Sequence, residues 1–217
     1  MTRHFLYAAA ALGLLAGPAL AERQSYAMML GGRQLGTLVF DGAGQNAALL
    51  STIDNTPLGV ADGTFEAVTR TKDGEVDYIG QSRGGKTRDI AVTRQADTVT
   101  KVIVTPAKEM TDMTDAAKVP AGVVSPTEVF ATLANGGTCP SPMTMYDGRR
   151  VVQMATTAMA QEGDTVTCDM SYRVTMGPGH LSPFRFKSFG MQVAYSAGAL
   201  ARITMSAGGF DVNLIRQ

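Results

Sequence analysis

The residue pattern predicts a mainly β protein: a strongly curved antiparallel sheet or incomplete β-barrel of about ten to twelve strands with one short helix. A cleaved N-terminal signal helix precedes it. Three observations carry this expectation. The chain after the leader is rich in Thr, Val and Gly. Turn signals built on Gly, Asp and Asn interrupt it roughly every 8–12 residues. A single stretch, from Ser125 to Ala134, instead shows helical spacing with a capping signal ahead of it.

The first 21 residues read as an export signal. Arg3 and His4 give a basic start, Phe5 to Leu15 is an apolar run, and Ala19-Leu20-Ala21 supplies a small-residue cleavage site. The run is shorter than the roughly 20 residues that span a bilayer. Cleavage after Ala21 would leave a periplasmic chain read as one β-rich domain, residues 22–217. No cysteine sits at the cleavage point, so no lipid anchor is expected, and no later run is long enough for a transmembrane helix.

From Ser25 the strands follow in order. Ser25–Leu30 runs into Gly31-Gly32, and Leu35–Phe40 into a turn expected at Asp41-Gly42. Ala47–Ile53 ends at Asp54-Asn55-Thr56-Pro57. Thr64–Thr71 and Val76–Ser82 flank Asp73-Gly74, a pair suited to the positive φ of a tight hairpin. Thr87–Thr93 and Val99–Thr105 complete this half. Residues 106–124 show no periodicity and read as a long surface excursion.

Ser125-Pro126-Thr127-Glu128 is a capping box with Pro at the first helical position. Val129, Phe130 and Leu133 form an apolar stripe, and Asn135-Gly136-Gly137 ends the helix. A helix over Pro126–Ala134 is too short to stand alone in water, so its stripe must dock on the sheet, plugging or flanking one opening. Met143–Tyr146 and Arg149–Met159 form a hairpin around Asp147-Gly148. Val166 to Val174 alternates apolar and polar side chains, with Cys168 on the apolar face. Gly177-Pro178-Gly179-His180 breaks the pattern, and Met191–Tyr195, Ala199–Met205 and Phe210–Ile215 close the chain.

Composition narrows the function. The 19 basic and 19 acidic side chains balance, which argues against nucleic acid or an anionic membrane surface as partner. Cys139 and Cys168 are the two cysteines, and an exported chain meets an oxidising compartment, so they are expected to form a disulfide. They lack C-x-x-C spacing, and one histidine beyond the signal cannot complete a zinc site. No cofactor motif is present.

Cys139, then Tyr146-Asp147-Gly148-Arg149-Arg150, then Cys168 followed by Tyr172 and a Gly-containing turn, resemble an exported proteobacterial family, domain of unknown function 3108. Gly32 through Gly36 is similar to the G-x-x-x-G that ends the first strand of that family. Ser125-Pro126 is similar to the pair that opens its short helix. The order of these features matches across most of the chain after the signal. The resemblance implies export and a curved antiparallel sheet or open barrel; it implies no biochemical activity.

The best candidate site is Asp147-Gly148-Arg149-Arg150. A glycine turn exposes backbone N–H groups, and arginine offers a planar fork to a carboxylate or phosphate of a ligand or partner. The plainer reading is a hairpin turn whose arginines point to opposite faces, one solvated and one paired internally. His180 reads as an ordinary surface residue of a Gly/Pro loop, with no partner that would make it a base. Met143-x-Met145 and Met110-x-x-Met113 could offer thioethers to Cu(I), or fill gaps in a core short of aromatics. No catalytic residue is assigned. The leading functional expectation is a non-catalytic envelope protein that binds an amphiphile, a lipid or a protein partner on its concave face. A structural or assembly protein acting through an exposed edge strand is the alternative, and an unrecognised hydrolase is the third reading.

Overall fold

The computed structural model describes residues 23–43, 46–54, 56, 62–180 and 185–217. The expected signal segment lies outside the described residues, as do residues 55 and 57 of the turn expected at residues 54–57. Among the described residues, thirteen strands form one antiparallel sheet, slightly more than expected. The first half is a meander of β1 (Gln24–Leu30), β2 (Arg33–Ala43), β3 (Asn46–Ile53), β4 (Gly63–Lys72), β5 (Glu75–Gly84), β6 (Arg88–Gln95) and β7 (Thr98–Thr105). The second comprises β8 (Met143–Tyr146), β9 (Val151–Glu162), β10 (Thr165–Met176), β11 (Ser188–Ser196), β12 (Ala199–Ala207) and β13 (Phe210–Arg216). The two meanders join where β1 pairs with β13, with Tyr26 opposite Arg216. The sheet therefore runs from β7 through β1 and β13 to β8 and does not close into a barrel.

Local chemistry explains where the strands turn and where they do not. Asp73 and Gly74 both take positive φ, 52° and 81°, as a two-residue hairpin with the native twist requires. The turn expected at Asp41-Gly42 is absent, because β2 continues to Ala43. Gly42 serves packing instead: a Cβ there would lie 2.2 Å from Phe40 Cζ, so the glycine lets the Phe40 ring lie along its own strand.

The excursion is more ordered than expected. Three single 3₁₀ turns, Ala107–Glu109, Asp112–Thr114 and Ala116–Lys118, order it, and Met113 and Val123 are buried. The Thr111 and Asp115 side chains cap the second and third turns. Such turns repeat too briefly to leave a readable period. The segment packs along β7 and then reaches β8, where Val124 N–H donates to Thr144 O and Tyr146 N–H donates to Val124 O, each at 2.9 Å. It thus bridges the gap between the two edge strands.

Helix α1 (Pro126–Gly136) follows, two residues longer than expected, and ends at Gly137 in the left-handed conformation. Its capping box is present: Glu128 N–H donates to Ser125 Oγ, and Ser125 N–H donates to Glu128 Oε2 at 2.7 Å. The helix lies across the concave side of the sheet, against β2, β3, β4, β8 and β12. Phe130 packs on Tyr26 and Phe40 at ring-centroid distances of 5.6 and 5.2 Å. Thr127 is fully buried and shares a hydroxyl cluster with Thr69 and Ser125. Cys139, just beyond the helix, is joined to Cys168 of β10 by the expected disulfide, with Cα atoms 5.5 Å apart. No described helix is long and apolar enough to cross a membrane.

Candidate functional site

The Asp147–Arg150 turn sits between β8 and β9, against β6 of the other meander. Asp147 Oδ1 accepts from the backbone N–H groups of Arg149 and Arg150, both at 2.9 Å, which closes the turn. Gly148 has φ of 88°, and a Cβ there would lie 2.3 Å from Ile90 Cγ2 of β6. The turn of one meander therefore presses directly on a strand of the other.

Both arginines are engaged within the protein; neither is the solvated one that alternation suggested. Arg149 Nε donates to the Glu109 carbonyl at 2.7 Å, and its Nη2 lies 3.3 Å from Glu109 Oε2. Arg88 of β6 grips the same carboxylate oxygen through Nε at 3.0 Å and Nη2 at 2.7 Å. Burial opposes ionisation of Glu109, but the Arg88 hydrogen bond and the charges of Arg88, Arg149 and Lys86 outweigh it and hold the carboxyl below its usual range. Arg150, 6% exposed, has Nε 2.9 Å from Asp147 Oδ2, too poorly aligned for a hydrogen bond, and its Nη1 has no partner. The four expected site residues thus lie together, and the carboxylates that face the two guanidiniums, Glu109 and Asp147, belong to the chain itself.

His180 is not an ordinary surface residue. Its Nε2 lies 2.7 Å from the Tyr172 hydroxyl, and its ring packs against Tyr172 and Phe189 at 5.5 and 5.7 Å. A backbone bridge to Phe186 fixes its main chain. Burial, reinforced by the Arg150 charge and opposed by Asp147, lowers its pKa to about 4. Burial likewise raises the Tyr172 hydroxyl. A neutral imidazole beside a neutral phenol anchors the chain against β10. The alternation of β10 marks Tyr172 in the sequence, but its pairing with His180 across the loop has no local signal.

The methionine pairs do not converge as written. Met113 and Met145 are buried in the core, whereas Met110 points outward. Among the described residues no group of three His, Cys, Asp or Glu side chains is placed to hold a metal ion.

The concave side, expected to receive a ligand, is occupied by α1 and its packing. A cavity beside the helix start, lined by Tyr78, Arg94, Ser125 and Tyr146 among others, measures about 20 Å³, room for one water. The outer face of the first meander offers more. On β4, Ala67 and Thr69 turn inward and are buried, so Glu66, Val68 and Arg70 turn outward. Cross-strand register extends Val68 into a row: Ala48, Val68, Ile79, Ala91 and Ile103 lie side by side on β3 to β7. Ile79 and Ile103 are 43% and 48% exposed, and Leu50 beside the row is 42% exposed. A depression of about 240 Å³ lies here, bordered by Val68, Arg70, Asp77, Ile79 and Ala91. Periodicity identifies each of these residues as outward-facing, but the row itself depends on register.

No protein-family model matches the chain, and no curated protein does. Among solved structures the chain is similar to the crystal structure of a beta-barrel-like protein of Domain of Unknown Function DUF1849 from Brucella abortus. The TM-score is 0.45 at 14% identity, covering 90% of this chain and 94% of that one. The likeness is to a β-barrel-like domain of unknown function; the finer resemblance to domain of unknown function 3108 has no matching family model behind it.

Proposed function

We propose that this chain is an exported, non-catalytic protein of the cell envelope that binds a protein partner on the outer face of β3–β7. The observation that carries the reading is the contrast between the two sides of the sheet. The concave side is filled by Phe130, Leu133 and their neighbours, while the outer side leaves Leu50, Ile79 and Ile103 to solvent. An apolar row that is continuous across five strands, with Ile79, Ile103 and the neighbouring Leu50 exposed and Ala48, Val68 and Ala91 half-buried, supports an interaction surface rather than scattered surface hydrophobicity. The leader pattern of residues 1–21 and the Cys139–Cys168 bridge support a periplasmic address. In this reading the chain is a relative of domain of unknown function 3108, on the order of its Cys, Asp-Gly-Arg-Arg, Cys and Tyr signals.

Outer-face binding is favoured over edge pairing by the way the edges are guarded. Val124 covers part of β8, while β7 carries Lys101 and a register shift opposite Thr93/Arg94, devices that discourage added strands. A photo-crosslinking residue at Ile79, introduced in cells, should give one dominant product, whereas the same residue at Gln161 of β9 should not. Equal or absent products at the two positions would overturn the outer-face reading. Native mass spectrometry of protein released from the periplasm should show the apo mass; a stoichiometric lipid would return the binding site to the concave side.

A further inference from the structure

We propose that the end of the sheet away from α1 docks peripherally on the surface of an anionic lipid bilayer. The overall balance of basic and acidic side chains conceals a segregation between the two ends of the sheet. Successive turns of an antiparallel meander lie at opposite ends of its strands. The turns β1–β2, β5–β6, β8–β9 and β12–β13 therefore share one end with the β10–β11 loop and the start of the excursion. The turns β4–β5, β6–β7, β9–β10 and β11–β12 share the other end with α1, whose exit at Gly137 packs against Gly198. Those α1-end turns carry Asp73, Glu75, Asp97, Glu162 and Asp164 against Lys72, with Arg23 and Arg216 beside them at the first and last strands. At the opposite end stand Arg33, Lys86, Lys108, Arg185 and Lys187, all exposed. Among the described residues none of these five makes an ion pair or a side-chain hydrogen bond. Arg88 and Arg149 share the one carboxylate of Glu109 there, and Asp54, Asp62 and Asp211 offset only part of the excess.

Met110, Met176 and Phe210 are exposed at this same basic end. The layout fits a bilayer better than an acidic protein. Lys86 follows β5, Arg33 opens β2 and Lys187 precedes β11, three and then four strands apart in the sheet. At about 4.8 Å per strand they are separated by about 14 and 19 Å along it, too far to converge on one carboxylate. Long cationic side chains that are spread and unpaired gain instead from a diffuse negative surface, each worth several-fold in binding. Methionine and phenylalanine beside them can enter the headgroup boundary, where apolar contact and attraction to anionic lipid reinforce each other. The proposal concerns a different surface from the outer face of β3–β7 and uses none of the residues of its apolar row.

The test is flotation of the purified mature chain with vesicles of phosphatidylcholine, either neutral or containing about 30% phosphatidylglycerol. At about 20 mM salt the chain is expected to float with the anionic vesicles and not with the neutral ones, and about 300 mM salt should release it. Lys86→Glu should weaken this binding at least about fivefold. Lys72→Glu makes the same change of net charge at the α1 end and should stay within about twofold of the wild type. Phe210→Ser should weaken binding about threefold and let less salt release the chain. Circular dichroism checks that each exposed substitution leaves the fold intact. No flotation at low salt, equal flotation with neutral vesicles, or equal losses from Lys86→Glu and Lys72→Glu overturns the proposal. A chain that ignores the vesicles but is retained on soluble polyglutamate would assign this end to an acidic protein and overturn the bilayer. Failure with vesicles while Ile79 still crosslinks to one protein in cells would sink the bilayer contact and leave the outer-face reading standing.

Discussion

Burial and the adjacent Arg150 charge hold the His180 imidazole neutral until the pH falls to about 4. In the unfolded chain the same group titrates near its ordinary value of about 6.5. Between those values the unfolded state binds a proton that the folded state refuses, so stability falls as the pH drops through that window, by up to about 3 kcal/mol. His180→Phe keeps the aromatic packing and removes the titration. Its urea midpoint should therefore change less than that of the wild type between about pH 7 and about pH 5. Glu109 adds acid sensitivity lower down. Its depressed pKa contributes stability above the unfolded value, and that contribution is lost as the pH falls through the folded one. At Gly148, a substitution to Ala meets both a φ of 88° and the Ile90 methyl group. A loss of about 2–3 kcal/mol is expected. Ile90→Ala in the same chain should recover part of it, and a double-mutant cycle with no coupling would refute the contact.

At the scale of elements, α1 shows how much a cap and a stripe determine and what they leave out. Ser125, Pro126 and Glu128 set the start of the helix by local hydrogen bonding, so the start is legible in the sequence. The end is less so: the helix continues for two more residues, Asn135 and Gly136, before Gly137 takes the left-handed conformation. The stripe says that the helix docks but not where. Phe130 fills the concave side between Tyr26 and Phe40, so Phe130→Ala should cost about 3–5 kcal/mol in denaturant unfolding. It should also open a space that an apolar dye can enter. The disulfide joins the exit of this element to β10 across a separation of 29 residues. In the chain-entropy account, Cys139→Ser with Cys168→Ser should lower stability by about 3–4 kcal/mol, read from urea unfolding, and reduction of the wild type should match it.

Across the whole molecule the sheet depends on the pairing of its first and last strands. Strand β13 lies between β1 and β12, so it is the seam through which the two meanders share one core. Removal of residues 210–217 should leave neither half able to bury its inner face. Cooperative thermal unfolding should be lost, whereas a chain that still melts in one sharp transition would show that the halves fold independently. The opposite gap is closed by different means: the 3₁₀ turns, the Val124 bridge and the Arg88–Glu109–Arg149 cluster. Sequence alone determined the elements governed by neighbours in the chain: the alternating strands, the Asp73-Gly74 hairpin and the capped helix start. Those depend on hydrogen bonds and φ angles within a few residues. Tertiary structure decided what depends on register and long-range approach. It set Glu109 between two arginines, buried His180 against Tyr172, and aligned an apolar row from five separate strands. A side chain's identity specifies its chemistry, but its charge state and its partners are set by groups that the chain brings near it through folding.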